Sequence, residues 1–183
     1  YKDYAEWQNG LLESQVMEEQ EDYWLDRFSD DLPVLDLPTD YPRPSVKSLA
    51  GDDINYSIDG ELTSALKKIG TETNSTLYMV LLSGLNLLLS RYSGQNDIII
   101  GTPIAGRPHA DLENVVGMFI NTLAMRNNPV GSLTYREFLE TVRDNSLAAY
   151  QNQDYQFEEL VDNLNLSRDM SRNPLTDVMF SVQ

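Results

Sequence analysis

The 183-residue chain has no cysteine, a single histidine, and 13 Lys and Arg against 29 Asp and Glu. Each shortage closes a class of function. Without cysteine there is no disulfide framework, no thiolate nucleophile and no thiolate-bound zinc; a reducing, cytoplasmic setting is the expectation. A formal net charge of −16 makes nucleic-acid backbones and anionic membranes poor partners, because binding them depends on cations that neutralise phosphate. No signal peptide is visible, and no glycine-rich loop followed by lysine is present to cradle a phosphate. His109, in Arg107-Pro108-His109-Ala110-Asp111, has Asp111 and Glu113 near it in sequence but no further partner at triad or metal-ligand spacing. It is expected in a surface loop, and no metal site is expected. The paired carboxylates Asp52-Asp53 and Glu158-Glu159 follow from the acidic composition. The residues by themselves give an acidic α/β domain without a visible catalytic engine.

What is present centres on Thr76–Arg107. Thr73-Asn74-Ser75-Thr76 offers helix caps, and Leu77, Met79, Val80, Leu81, Leu82, Leu85, Leu87, Leu88 and Leu89 follow, apolar almost all round. At about 16 residues this helix is shorter than the roughly 20 that span a bilayer, so it is a core helix covered on several sides. Ser93-Gly94-Gln95-Asn96 turns into Ile98-Ile99-Ile100, a strand buried on both faces. A buried helix feeding a buried strand is an α/β signature.

Before this pair, Tyr4, Trp7, Leu11 and Leu12, then Tyr23, Trp24, Leu25 and Phe28, mark one long amphipathic helix or two shorter ones, with the acidic run Glu18–Asp22 solvated. Leu32–Pro44 carries four prolines and reads as a stiff extended connector. Ile54, Tyr56 and Ile58 alternate as a half-exposed strand, and Asp59 caps a helix with Leu62, Ala65, Leu66 and Ile69 inward, ending at Gly70. After it, Val115–Arg126 is a second strand with Phe119–Met125 as its core. Thr134-Tyr135-Arg136-Glu137 is a capping box opening a helix to about Tyr150. Asp154 is expected to cap a short helix over Phe157–Leu164, and Val178-Met179-Phe180 to form a last strand. The chain starts within a helical pattern and stops on a strand, so both ends are expected to be cut from something longer.

Four polar stretches stand out: an arginine at a strand end within Gly101–Arg107, Asn121-Thr122 inside an apolar strand, Asn152-Gln153-Asp154 at a helix start, and Arg168–Leu175 with two arginines and Asn-Pro. In open α/β sheets ligands gather at strand ends. Together with Tyr1–Trp7 and Val116–Thr122, the segments Asn152–Glu158 and Arg168–Leu175 resemble the fourth to seventh core motifs of nonribosomal peptide synthetase condensation domains, in the same order. LPTDYPRP and SGQNDIIIGTPIAGR are similar to the same family, so the resemblance covers essentially the whole chain. Gln156 stands where the sixth motif usually has proline. Thr176 stands where the seventh has an aromatic, and either a packing defect or the mark of a subtype is expected there.

The resemblance implies a C-terminal subdomain: half of a chloramphenicol-acetyltransferase-like, two-layer mixed-sheet α/β sandwich whose active site lies between two such halves. The family's catalytic histidine belongs to an HHxxxDG motif ahead of the fourth motif, so this chain alone is expected to be inactive and to carry no catalytic residue. Arg107 is implied as a support for that motif. Gly117, Asn121, Asn152, Gln153 and Asp154 are implied to shape the substrate channel, and Arg168, Asp169, Arg172 and Asn173 to form a structural loop. The implied partners are the N-terminal subdomain, peptidyl carrier proteins bearing phosphopantetheine-linked substrates, and an adenylation domain, with no cofactor bound directly. A carrier-protein docking module without chemistry, or half of an epimerisation domain, are the alternatives.

Overall fold

The structure, a computed structural model, describes residues 1–48, 50–166 and 169–183. The N-terminal amphipathic stretch is two helices, α1 (Lys2–Leu12) and α2 (Gln15–Arg27), broken at Ser14. Ser14 leaves helical geometry, donates its hydroxyl to Leu11 O at 2.6 Å and accepts the Met17 amide as N-cap of α2. After the proline connector come α3 (Gly60–Glu72), α4 (Leu77–Ser93), β1 (Ile98–Ile104), β2 (Asn121–Asn127), α5 (Tyr135–Gln151), α6 (Phe157–Asn163) and β3 (Val178–Met179). The three strands form one mixed sheet in the order β2-β1-β3. The β1–β2 pair is antiparallel, with Ile98 opposite Asn127 and Ile104 opposite Asn121, and β3 is parallel to β1.

The expected α4–β1 pair sits at the centre. Thr76 caps α4, Gly94 ends it at φ 72°, and Ile98, Ile99 and Ile100 are buried. Helix α4 is covered on all sides but one, where Leu88 is exposed; α3 and α5 pack on it and α5 on β2. The Thr134–Glu137 capping box forms as read, the Glu137 carboxylate accepting the Thr134 amide at 2.8 Å. Where α2 meets the strands, Arg126 pairs with Asp97 at 2.6 Å and donates to Arg27 O, while Arg27 donates back to Arg126 O. This reciprocal pair fixes the end of α2 against the strands.

Four expectations are corrected. Residues 51–59 form no strand: no described segment pairs with them, and Ile54 is 97% exposed. Helix α3 runs through Gly70 to Glu72, because Gly70 packs against the Ser75 carbonyl instead of ending the helix, and Leu62 faces solvent. The second strand begins at Asn121, six residues later than read from its apolar pattern, leaving Val115–Ile120 outside the ladder. Asp154 does not cap α6; Gln156 occupies the N-cap position without a side-chain bond. Thr176, for its part, is buried against Gly101 and Met179.

Several tyrosines are sealed into this core. Burial pushes the Tyr78 phenol far above its ordinary value, with its hydroxyl 2.6 Å from Thr102 Oγ1, and burial likewise raises Tyr23, Tyr150 and Tyr155. Groups whose folded pKa exceeds the unfolded value, about 10 for tyrosine, leave stability intact below that pH and subtract from it above. Alkaline titration is therefore expected to release tyrosinate absorbance and lose near-UV circular dichroism in one transition above about pH 10. Tyrosinate appearing for all ten tyrosines with the dichroism intact would contradict it.

Candidate functional site

The site is built where β1 runs out. Beyond Ile104 the chain turns at Gly106, which adopts φ 59° and lies so close to the Phe119 carbonyl that any Cβ there would overlap it. The turn delivers Arg107 over the Phe119 ring, its guanidinium carbon 4.0 Å from the centroid, while Nη1 donates to Leu112 O. Phe119 is the one buried apolar residue of the segment ahead of β2 and packs edge-on against Tyr1 at 5.3 Å and against Tyr4 at 4.7 Å. Tyr1 also donates its hydroxyl to Met118 O at 2.9 Å, and its ring occupies the space that a side chain at Gly117 would need. Gly117 thus admits the aromatic ring of α1's N-cap residue. Around this cluster Val116, Met118 and Ile120 are exposed, along with Trp7.

Asn121 joins the cluster to the segment after α5. Its amide nitrogen donates to Gln153 O at 2.9 Å and Tyr155 O at 2.8 Å. Its Oδ1 accepts the amides of Thr122 at 2.8 Å and Phe157 at 3.0 Å. A carboxamide has two N–H donors and two acceptor lone pairs, so every hydrogen-bonding position of this buried side chain is spent on backbone. The bond from Phe157 satisfies a free N–H of the first turn of α6, which explains why α6 needs no cap of its own.

The other side of the same segment is held by α2. Gln20 is buried and its Oε1 accepts the amides of Asp154 at 3.0 Å and Tyr155 at 3.1 Å; one turn later Trp24 donates Nε1 to Asn152 O at 2.8 Å. Asn152 itself donates to Ala148 O as the α5 C-cap, and Gln153 is exposed. The Asp154 carboxylate is half-exposed on the side of Tyr4, whose phenol is pushed up first by burial and then by the charges of Tyr1 and Asp154. Arg107 and Gly117 therefore meet at the Phe119 cluster, and Asn121, two residues further on, ties that strand end to the backbone of Gln153 and Tyr155.

Comparison with known proteins decides what this face belongs to. The Condensation domain family matches residues 1–183. Tyrocidine synthase 3 of Brevibacillus parabrevis is 55% identical over all 183 residues, and gramicidin S synthase 2 of Brevibacillus brevis 54%. The chain belongs to the condensation-domain family. It spans only 3% and 4% of those two synthases. Among solved structures, it is similar to a four-domain nonribosomal peptide synthetase, AB3403, bound to AMP and glycine, with a TM-score of 0.85 and 30% identity over 88% of this chain and 12% of that one. The first condensation domain of the calcium-dependent antibiotic synthetase shares the fold, with a TM-score of 0.74 at 22% identity over 88% of this chain and 35% of that one.

Within this condensation-domain chain the remaining expected residues lie elsewhere. Asp169, Arg172 and Asn173 border the proline connector: Arg172 pairs with Asp177 and donates to Leu35 O, and Asn173 accepts from Lys47 Nζ at 2.9 Å. Arg168 lies outside the described residues. A cavity of about 750 Å³ opens between Leu32–Leu35, Met170–Leu175 and the start of β1 at Asp97 and Ile99. Seven strand residues separate that end of β1 from the Gly106 turn, roughly 20 Å at about 3.3 Å per residue, so the cavity and the Arg107 face are distinct. His109 is in an exposed loop, accepting the Asp111 amide at 3.2 Å. Among the described residues no group of three His, Asp or Glu is placed to hold a metal, and no helix is long and apolar enough to cross a membrane.

Sequence reading placed Tyr4 and Trp24 on an apolar helical face and Gly106 in the strand-end stretch without giving them a part in the site, and it did not single out Gln20. A buried glutamine inside an acidic helical run has no periodic signature, whereas Gly106 could have been suspected from Gly-Arg immediately after a strand.

Proposed function

We propose that this chain is the C-terminal subdomain of a chloramphenicol-acetyltransferase-like condensation domain, its two-layer mixed-sheet half, and that the Arg107 face is its wall of the substrate channel. The observation that carries this is the convergence of three sequence motifs, at Tyr1–Trp7, Val116–Thr122 and Asn152–Glu158, on the Phe119 cluster in a chain matched along its whole length by that family. The expected setting is the cytoplasm, and the partners are an N-terminal subdomain carrying the HHxxxDG histidine, peptidyl carrier proteins and an adenylation domain.

The reaction joins an acceptor aminoacyl thioester to a donor acyl or peptidyl thioester, each on a carrier's phosphopantetheine arm. The acceptor nitrogen attacks the donor carbonyl, a C–N bond forms, the C–S bond breaks, and the nitrogen's proton leaves as the donor thiol is released. A thioester is already activated, so alignment and support for the developing oxyanion matter most. This chain's residues supply alignment. Asn121, Gln20 and Trp24 hold the Asn152–Asp154 segment by its backbone, and Phe119 holds Arg107 at the channel edge, facing the carboxylate of the histidine motif.

Substituting Arg107 by alanine in the complete domain is expected to lower dipeptide formation at least tenfold while moving the thermal midpoint little, since Arg107 stacks on a single ring and donates to one loop carbonyl. Unchanged turnover rejects the assignment. A docking module without chemistry is the second reading. It is favoured by similarity to the X-domain from teicoplanin biosynthesis, with a TM-score of 0.87 and 25% identity over 97% of this chain and 40% of that one, a domain also solved in complex with OxyB. The synthases at 54–55% identity favour condensation, and product formation against inversion of a carrier-bound residue separates it from docking and from epimerisation.

A further inference from the structure

Between Ser171–Asn173 and the chain from Leu35 to Lys47 lies a second, smaller cavity, open to solvent and with Arg43 and Lys47 exposed, that the channel does not use. It is about 140 Å³, and its walls are Leu35, Leu37, Val178, Ser171, Asn173, Asp177 and three cations, Arg43, Lys47 and Arg172. A chain with only 13 Lys and Arg among 183 residues places three of them in a wall of nine. Arg172 is neutralised by Asp177 and serves as wall. Among the described residues Arg43 and Lys47 have no carboxylate within ion-pair distance, and each is tethered to the opposite loop. Arg43 donates to Ser171 O at 3.3 Å. Lys47 donates its backbone amide to Met170 O at 2.9 Å and its ammonium to Asn173 Oδ1. These tethers leave further N–H donors on both side chains, four on the guanidinium and two on the ammonium.

We propose that this cavity is an oxyanion site for a phosphate group, bound by Arg43 and Lys47 with Arg172 as its fixed back wall. Its size selects the class of ligand. It is below the roughly 300 Å³ at which pockets for organic ligands begin, so it admits a tetrahedral anion and leaves the rest of a larger ligand outside. The guanidinium fork suits two oxygens of such an anion and the ammonium a third. The chain's net charge of −16 does not exclude this. At physiological ionic strength the Debye length is about 8 Å, so carboxylates beyond that range are screened and the local cations decide. The opposing charges are Asp177 on the wall and Asp169 beside it, the latter held below the ordinary carboxylate range first by Ser171 and then by Arg172 and Arg43; three cations against Asp177 still leave the wall itself net positive.

The test is phosphorus NMR line-broadening of inorganic phosphate titrated into the full chain at fixed chloride. Saturable binding with a millimolar or lower Kd is expected, weakened at least tenfold in the Arg43→Gln, Lys47→Gln double variant with its circular dichroism unchanged. Arg43→Gln alone, which removes the guanidinium fork and leaves Lys47 in place, is expected to weaken the binding and covers the case in which the double variant misfolds. Methyl phosphate binding as well as the free ion assigns the site to the terminal phosphate of a larger ligand; its exclusion assigns it to the free ion. No saturable broadening, or equal broadening in wild type and both variants, overturns the proposal. Arg107→Ala leaves this readout unchanged, so the channel assignment and this one fail separately.

Discussion

Asn121→Leu is expected to lower the unfolding free energy by roughly 4 kcal/mol, from four lost hydrogen bonds at about 1 kcal/mol each, with more where a buried backbone group is left unpaired. Leucine keeps the branched skeleton of asparagine but is the larger side chain, so any overpacking at this buried position adds to the loss from the bonds. The carbonyls of Gln153 and Tyr155 lose a donor and the Phe157 amide loses its acceptor, so the damage falls on the start of α6. Gln20→Leu removes two bonds to the same segment and is expected to cost about half as much. Because both side chains hold one loop, the double variant is expected to fall short of the sum by 1 kcal/mol or more. Urea denaturation of the four proteins, with shared slopes, measures this. If Asn121→Leu left the midpoint in place but abolished condensation, its amide would instead serve the substrate directly.

Most of the scaffold was legible because its signals are local. The Thr134–Glu137 capping box and the continuous isoleucine run of β1 are read from neighbours within four residues, and both formed; of the four caps offered at Thr73–Thr76, Thr76 is the one used. What failed depended on distant partners. Ile54, Tyr56 and Ile58 carry a strand's alternation, but alternation gives no structure without a strand beside it. Val116, Met118 and Ile120 carry the same alternation, and here tertiary geometry overrides it: the Gly106 turn crosses at Phe119, so pairing with β1 stops at Asn121. The candidate site was chosen by a different route. Its polar residues stood out as chemically odd for their positions, and the fold adds the local contacts: Arg107 stacks on Phe119, and Asn121 holds the backbone of Gln153 and Tyr155. The α2 side chains that hold Asn152–Tyr155 carried no such oddity, since glutamine and tryptophan at helical spacing read as ordinary helix.

Gly106→Ala tests that meeting point most sharply. Two costs act at once. A non-glycine residue at φ 59° costs about 1–2 kcal/mol, and the new methyl overlaps the Phe119 carbonyl, a backbone group that cannot rotate aside. Overpacking of this kind adds roughly 1–3 kcal/mol, giving about 3 kcal/mol in all. Gly94→Ala supplies the control, because Gly94 has φ 72° with nothing within 4 Å of the added methyl. It is expected to cost only the conformational share, about 1 kcal/mol. The difference between the two variants therefore isolates the close approach of the β1 turn to Phe119. Relief of the overlap must push Phe119 away from Gly106 and carry the Arg107 guanidinium with it, so the complete domain is expected to lose condensation with Gly106→Ala and keep it with Gly94→Ala. Equal stability losses in the two variants would mean that the turn and Phe119 do not touch, and the Arg107 face would lose the contact that organises it.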